Sequence, residues 1–184
     1  KKKKIDVLTV PKFKEALETC DNLGLLTLLY TGIRISELLA LTPEQVFIDG
    51  KSSTITIEQA LVSLKGPRRL KGPKSEAGYR TIPIPEKLAV LLESRIAEVG
   101  AKAFLFQYQY KAYQTRLDKL CKALSVPRLT LHGLRHSHCT YLLAQKMSPV
   151  AVSRRLGHSD LGYTLKTYAW LVPSMEDEIL NVLS

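Results

Sequence analysis

The residues best suited to chemistry lie in one stretch of the chain, Thr130–Tyr168. This stretch holds no Cys-x-x-Cys motif and no pair of acidic residues. It contains all four histidines of the sequence, three arginines and a tyrosine at its end: His132, His136, His138, His158, Arg135, Arg154, Arg155 and Tyr168. Imidazoles, guanidiniums and a phenol suit an anionic substrate, so the stretch favours phosphate chemistry without a metal ion.

Cleavage of a phosphodiester by a side chain needs several kinds of group. Positive donors must surround the non-bridging oxygens, and the guanidiniums of Arg34 and Arg135 are candidates because arginine binds phosphate bidentately. The phenol of Tyr168 can attack phosphorus and form a phosphotyrosyl link. A lysine such as Lys74 can protonate the leaving 5′-oxygen. Proton transfer and hydrogen bonding to the phosphate are expected from two histidines, His132 and His158.

The charge balance points to a polyanionic partner. The 184 residues include 27 Lys and Arg against 17 Asp and Glu, a formal net charge of +10. This excess favours nucleic acid over an acidic membrane face. One polar segment concentrates basic residues that can follow a phosphate backbone or form an ordinary solvated loop: Lys65, Arg68, Arg69, Lys71 and Lys74.

Cysteine usage and hydropathy bear on the compartment. Three scattered cysteines, an odd number, indicate reduced thiols in a cytosolic protein rather than a disulfide framework. No apolar run approaches the length of a membrane span, so no membrane partner is expected.

Hydrophobic periodicity predicts an α+β fold that is mainly α, with a small three-stranded antiparallel sheet on one edge of a helical domain. The strands are expected at Val46–Ile48, Ser53–Val62 and Tyr79–Ile84, with the basic loop between the second and third. Helical patterns precede and follow this sheet, beginning at Thr9 and covering Leu23–Tyr30, Ile33–Leu41, Pro85–Val99, Tyr110–Leu124, Leu131–Gln145 and Val150–Leu156.

Helical spacing brings some of the candidate residues together. Arg34 and Glu37 are three residues apart, as are His132 and Arg135, so each pair shares a helix face. A carboxylate one turn from an arginine can aim the guanidinium. The alternative for Arg34 and Glu37 is an exposed ion pair, which contributes little to stability.

The order of the motifs resembles the tyrosine recombinase (phage integrase) family. The series T-G-I-R-I-S-E-L-L-A-L, Y-R-T-I-P-I-P, L-H-G-L-R-H-S and L-G-H-S-D, followed by a tyrosine, covers nearly the whole chain. The interval from His158 to Tyr168 resembles that of phage and conjugative-transposon integrases and is one residue longer than in Xer-like recombinases.

The resemblance implies a role for each matching residue. Arg34 and Arg135 are similar to the catalytic arginines, and Glu37 to the carboxylate that supports Arg34. His132 and His158 match the two catalytic histidines, His136 a structural position, and Tyr168 the nucleophile. The β-hairpin lysine that acts as general acid matches Lys74, although Lys71 lies only three residues away and the choice stays open.

The resemblance also implies what surrounds the domain. Residues 1–184 correspond to the catalytic domain, whereas family members carry core-binding and often arm-binding domains before it. Expected partners are double-stranded DNA at attachment sites, three further protomers in a tetramer on DNA, and an accessory directionality factor. The C-terminal segment, Met175–Leu183, resembles a tail that docks on a neighbouring protomer, or packs on its own core. No cofactor and no metal are expected, and the compartment is the cytoplasm of a bacterial host.

Three alternatives remain open at this point. A type IB topoisomerase-like enzyme would share the phosphotyrosine chemistry but relax supercoils. A DNA-binding protein without catalysis would use the helices of Leu131–Tyr168. A zinc site would draw its ligands from the His132 helix: His132, His136, His138 and Cys139.

Overall fold

The computed structural model of the chain describes residues 9–19, 22–62, 69–73, 75–100, 103–107 and 109–158, with Gly162 and Leu183. Its helices are α1 (Thr9–Thr19), α2 (Leu23–Thr31), α3 (Ile35–Leu38), α4 (Glu86–Val99), α5 (Tyr110–Ala123), α6 (Leu131–Ala144) and α7 (Pro149–Leu156). Its strands are β1 (Val46–Phe47), β2 (Thr54–Ile57), β3 (Ala60–Leu61), β4 (Leu70–Lys71) and β5 (Arg80–Pro83). The predicted fold class, mainly α with a small antiparallel sheet, is confirmed. No helix in these ranges is long and apolar enough to cross a membrane.

Helix α2 forms the centre of the domain. Its sequence, L-G-L-L-T-L-L-Y-T, is apolar on every side, and such a helix is stable in water only when other elements surround it. Helices α1, α3, α4, α5 and α6 all pack against it. A Cβ at Gly24 would lie 2.6 Å from Tyr113 Oη, so glycine lets α5 approach closely. The helix ends at Gly32, whose φ of 67° places it in the left-handed region.

The three-stranded sheet has the order β1-β2-β5 and is antiparallel throughout. Alternation sets its two faces, since Ile55, Ile57 and Ile82 are buried whereas Thr56 and Thr81 face outward and hydrogen-bond through their hydroxyls at 3.1 Å. The predicted three-stranded sheet is therefore present.

The prediction of one continuous strand over Ser53–Val62 is wrong. Strand β2 ends at Ile57, and β3 pairs with β4 in a separate two-stranded sheet. Between them the Gln59 side chain donates to Ala40 O at 2.9 Å, which ties the chain to the turn after α3 and redirects it. The basic segment therefore includes the second strand of this hairpin, and its described residues Arg69, directly before β4, and Lys71, within β4, are exposed.

The helix predicted over Ile33–Leu41 is also shorter than expected. Arg34 has an extended backbone with φ −76° and ψ 150°, so α3 covers only Ile35–Leu38. A turn at Leu39–Ala40 then leads to Leu41, whose carbonyl accepts a hydrogen bond from the Leu105 backbone N–H at 2.9 Å. The short apolar segment around Leu105 is a buried connection rather than a strand.

Helix α7 is attached to the rest of the domain through His138 and Arg155. The Nδ1 of His138 lies 2.8 Å from Leu29 O, and Arg155 Nε donates to its Nε2 at 3.3 Å. The imidazole is therefore neutral, with its proton on Nδ1. Arg155 also donates to the carbonyls of Tyr30 and Pro83, at 3.0 and 3.2 Å. Burial, and then the charge of Arg155, lower the pKa of His138 to about 4.

The neutral state of His138 predicts a pH-dependent stability. Because its folded pKa lies below the ordinary value of 6.5, the unfolded chain takes up this proton first as the pH falls. The free energy of unfolding should therefore decrease between about pH 6.5 and pH 4, by at most about 3 kcal/mol from this residue. His138→Asn keeps a donor near Nδ1 and removes the titration, so its urea-unfolding free energy should decline less over that range. Equal declines in the two proteins would contradict a neutral His138.

Candidate active site

A cavity of about 860 Å³ lies where α3, the β3–β4 hairpin, α6 and the end of α7 meet. Four of the residues predicted from the sequence to act on phosphate border it: Arg34, His132, Arg135 and His158. They come from three separate parts of the chain, so only the fold brings them together. Glu37, His136 and Lys71 border the same cavity.

The carboxylate of Glu37 is the best-connected group of the cavity wall. Its Oε2 accepts hydrogen bonds from the Arg34 backbone N–H and from Arg80 Nη2, both at 2.8 Å. Its Oε1 accepts from Arg34 Nη1 at 2.8 Å and from Arg80 Nη1 at 3.3 Å. The Glu37 side chain is 4% exposed and that of Arg34 is 41% exposed. This is a buried carboxylate holding a half-exposed guanidinium, rather than the surface ion pair of the alternative interpretation.

Electrostatics keep Glu37 ionised. Burial alone raises the pKa of this carboxyl, but the hydrogen bonds and charge of Arg80, followed by those of Arg34, outweigh burial and lower the pKa below its ordinary value. Arg135 adds a third guanidinium nearby. Three guanidiniums around one carboxylate leave a positive excess at the cavity, which suits an anionic ligand.

Arg135 is oriented by the main chain. Its Nη1 donates to Gly32 O and its Nη2 to Leu156 O, each at 2.7 Å. Gly32 has a φ of 67°, and a Cβ there would lie 2.6 Å from the ring of His138, so glycine lets α6 approach the end of α2 closely. Burial, and then the charge of Arg34, lower the pKa of Arg135 to about 9, which still leaves the guanidinium charged at neutral pH.

The first turn of α6 presents His132. Thr130 Oγ1 accepts a hydrogen bond from the Gly133 N–H at 2.9 Å, and Gln114 Oε1 accepts one from the Leu131 N–H at 3.1 Å. His132 is exposed at the cavity, and the ring of His136 meets it edge-on with centroids 4.5 Å apart. Burial, then Arg135 and Arg34, lower the pKa of His132, so its imidazole is neutral at pH 7.

His158 enters the cavity directly after α7. The helix ends at Gly157, whose φ is 69°, and the His158 N–H donates to Ser153 O at 3.1 Å. A Cβ at Gly157 would lie 2.9 Å from both Ala77 O and Arg80 Nη1, so only glycine lets α7 meet the loop before β5. Burial, then the charges of Arg135 and Arg34, lower the pKa of His158 to about 4 and keep it neutral.

The basic segment is described only in part. Lys71 borders the cavity from β4, and Arg69 is exposed beside it. The described residues before residue 74 pack closely on the turn before β5, since a Cβ at Gly72 would overlap Tyr79 Oη and one at Gly78 would overlap Pro73. Four residues named from the sequence lie outside the described residues, as does all of the tail Met175–Leu183 except Leu183: Lys65, Arg68, Lys74 and Tyr168.

The zinc alternative does not fit the geometry of α6. Both ring nitrogens of His138 are used, by Leu29 and Arg155. Cys139 is buried among Leu143, Val152 and Leu156. In the described ranges no three His, Cys, Asp or Glu side chains lie close enough together to hold a metal ion.

Sequence reasoning missed Arg80 and assigned His136 only a structural position. The Arg80 side chain is 6% exposed and forms an ion pair with Glu37. In the sequence, only the position of Arg80 within a strand indicates that it is buried. In R-T-I-P the arginine alternates onto the same face as buried Ile82, and a charged residue on a buried face needs a charged partner. The contact between His136 and His132 is signalled by their separation of four residues on α6, which makes them neighbours on the helix surface.

Comparison with known proteins assigns the chain to a family. The model of the phage integrase family matches residues 5–173. The ICEBs1 integrase of Bacillus subtilis is 27% identical over 169 residues, covering 83% of this chain and 45% of the relative. Transposase A of transposon Tn554 from Staphylococcus aureus is 28% identical over 183 residues, covering 93% and 50%. The chain spans about half the length of these curated relatives.

Solved structures agree in fold. The Tn1549 transposon integrase in complex with transposon right end DNA superposes with a TM-score of 0.74 at 25% identity, covering 89% of this chain and 60% of that one. The catalytic domain of bacteriophage HP1 integrase gives a TM-score of 0.62 at 19% identity, covering 96% and 92%. With the family model matching most of its length, the chain belongs to the phage integrase family.

Proposed function

We propose that this chain is the catalytic domain of a tyrosine-type, site-specific DNA recombinase that integrates or excises a mobile element. The observation that carries the proposal is the convergence of Arg34, His132, Arg135 and His158 on one cavity with an excess of positive charge. Integrase and transposase relatives support the mobile-element context, and the DNA-bound Tn1549 integrase supports double-stranded DNA as the partner.

The proposed first step exchanges one phosphoester for another. The Tyr168 oxygen attacks phosphorus, the phosphorus–O5′ bond breaks, and a 3′-phosphotyrosyl link and a free 5′-hydroxyl result. Neutral His132 accepts the phenol proton, and a lysine of the hairpin, Lys74 or Lys71, protonates the leaving oxygen. His158 hydrogen-bonds the phosphate. The guanidiniums of Arg34 and Arg135 stabilise the charge that develops on the non-bridging oxygens.

The proposed second step reverses the first on another strand. A 5′-hydroxyl from a partner duplex attacks the phosphotyrosine, so the bond energy is retained and neither a nucleotide cofactor nor a metal ion is needed. Exchange of strands in pairs yields a Holliday junction. The assembly proposed for this is a tetramer on two duplexes, with exchange of the Met175–Leu183 tail and an accessory factor that sets direction, in the cytoplasm of a bacterial host. DNA contacts are proposed for the basic segment, Lys65, Arg68, Arg69 and Lys71.

Replacement of the nucleophile gives the most direct test. Tyr168→Phe should abolish covalent capture on a nicked suicide duplex that carries the DNA ends flanking the gene, because the attacking oxygen is absent. DNA affinity in a gel-shift assay should stay near that of the unchanged protein. The reactions contain a chelator, and peptide mapping locates the adduct.

Tyr163→Phe provides the matched control, since this neighbouring tyrosine has no proposed role and its variant should form adduct normally. An adduct that persists in Tyr168→Phe would remove Tyr168 as the nucleophile. Formation of a Holliday junction from two duplexes separates recombination from a topoisomerase reaction, which relaxes supercoils without joining two sites.

Arg34 offers the cleaner test of the two arginines because it is half-exposed, whereas Arg135 also holds two backbone carbonyls. Arg34→Ala should lower the single-turnover cleavage rate by about 10²–10³-fold, the effect of removing one strong donor to a developing oxyanion. Rapid-quench measurement at saturating protein provides the rate. Cleavage at the normal rate in Arg34→Ala would contradict the proposed phosphate clamp.

A further inference from the structure

Arg80 links the elements around the cavity without bordering it. We infer that Arg80 is a positioning residue for the cleavage step. It aims Arg34 by holding Glu37. It also holds the end of the segment that leads from Lys74 to β5 and the end of α7, which leads to His158. The inference rests on the proposed function. It concerns a residue that touches neither DNA phosphate nor nucleophile in that proposal, since Arg80 is not among the described residues that line the cavity.

One planar guanidinium makes four hydrogen bonds to three parts of the chain. Its Nη2 donates to Glu37 Oε2 at 2.8 Å and its Nη1 to Glu37 Oε1 at 3.3 Å. The same Nη1 donates to Gly78 O at 3.0 Å, and Nε donates to Arg155 O at 2.8 Å. With 6% of its side chain exposed, Arg80 has little freedom to move without breaking these bonds.

Each of the three partners controls a different functional group. Glu37 holds both the backbone and the guanidinium of Arg34. Gly78 ends the short turn Glu76–Gly78, which connects residue 74 to β5. Arg155 lies in the last turn of α7, two residues before Gly157 and three before His158. Gly157 packs so closely on Arg80 Nη1 that a Cβ would lie 2.9 Å away.

Only arginine can serve all three partners at once. The N–H donors of its planar guanidinium point outward in different directions within one plane, whereas lysine supplies a point charge and methionine supplies only similar length. Lysine can therefore keep Glu37 ionised but cannot hold both carbonyls. A comparison of lysine with arginine at position 80 therefore separates the electrostatic contribution of Arg80 from its geometric contribution.

Glu37 makes the role measurable through pH. The charged groups facing it are Arg34 on its own turn, Arg80 from β5 and Arg135 from α6. Arg80 is the largest influence that lowers the pKa of Glu37, opposing burial. Without Arg80 that pKa rises, Glu37 takes up a proton at higher pH, and Arg34 loses its carboxylate acceptor. As the pH is lowered, the activity of a variant without Arg80 should therefore begin to fall at a higher pH than that of the unchanged chain.

The test compares single-turnover cleavage of the suicide duplex between about pH 5 and pH 9 in Arg80→Met, Arg80→Lys and the unchanged chain. For Arg80→Met we expect a plateau rate about tenfold or more lower, with the acidic limb displaced to higher pH and DNA affinity within about twofold. For Arg80→Lys we expect the acidic limb of the rate–pH profile to stay near its original pH, while the plateau rate remains below that of the unchanged chain.

Arg95→Met is the matched control. Arg95 also donates to a backbone carbonyl, Leu105 O at 2.9 Å, and to a carboxylate, Glu98 Oε2 at 2.8 Å, but it lies on α4 away from the cavity. Its pH profile should match that of the unchanged chain. An unchanged profile in Arg80→Met, or a rate that falls only in proportion to the folded fraction measured by circular dichroism, overturns the inference.

Two further measurements keep the outcomes distinct. Absence of a Tyr168 adduct, both from the unchanged chain and from the chain joined to the N-terminal DNA-binding domain that the family resemblance implies, overturns the proposed function itself. The coupling to Glu37 is measured without activity, by ¹³C NMR titration of its carboxyl: a higher pKa in Arg80→Met supports the inference, and an equal pKa overturns it. If Arg80→Met does not fold, Arg80→Lys decides, because a plateau at the original rate in that variant overturns the positioning role.

Discussion

The buried carboxylate of Glu37 is the constraint on which the arrangement of the cavity depends. An isolated carboxylate in such a place would cost several kcal/mol in lost hydration, so the fold must bring cations to it. Arg34 comes from the segment before α3, and Arg80 comes from β5, which follows β1–β4 along the chain. Satisfying one charge therefore fixes the sheet against the helices, and the same contact directs Arg34 into the cavity.

Close approach at two glycines completes the arrangement. Gly32 ends α2 and Gly157 ends α7, both with positive φ, so each helix stops where its final carbonyls can be used by other groups. Gly32 O and Leu156 O both bind Arg135. The absence of a side chain lets His138 pack on Gly32, and lets Ala77 and Arg80 pack on Gly157. Helix ends thus serve here as ligands for an arginine rather than as exposed caps.

Local spacing was sufficient to predict the parts of the site that a single element positions. His132 and Arg135 share a face of α6, as their separation of three residues indicated. Glu37 binds the Arg34 guanidinium as expected, although Arg34 has an extended backbone and lies just before α3 rather than on its face. Alternation likewise predicted the three strands of the main sheet. These features depend on helix and strand periodicity, which the sequence records directly.

Features that depend on contacts distant in sequence were not predictable in this way. The division of Ser53–Val62 into β2 and β3 follows from the bond between Gln59 and Ala40, while both halves have ordinary strand composition. The role of Arg80 depends on Glu37, 43 residues away. The sequence does not distinguish a buried arginine from a solvated one, so the importance of such a residue becomes visible only when the structure shows its partners.

The way in which Arg135 is held has a consequence for how such a chain can diverge. Its two shortest hydrogen bonds go to carbonyl oxygens of the main chain, which every amino acid possesses. Replacement of exposed neighbours such as Arg154 changes no acceptor, and the guanidinium keeps its direction. Exposed residues around the cavity are thus free to change over generations, while the direction of the Arg135 guanidinium is inherited unchanged.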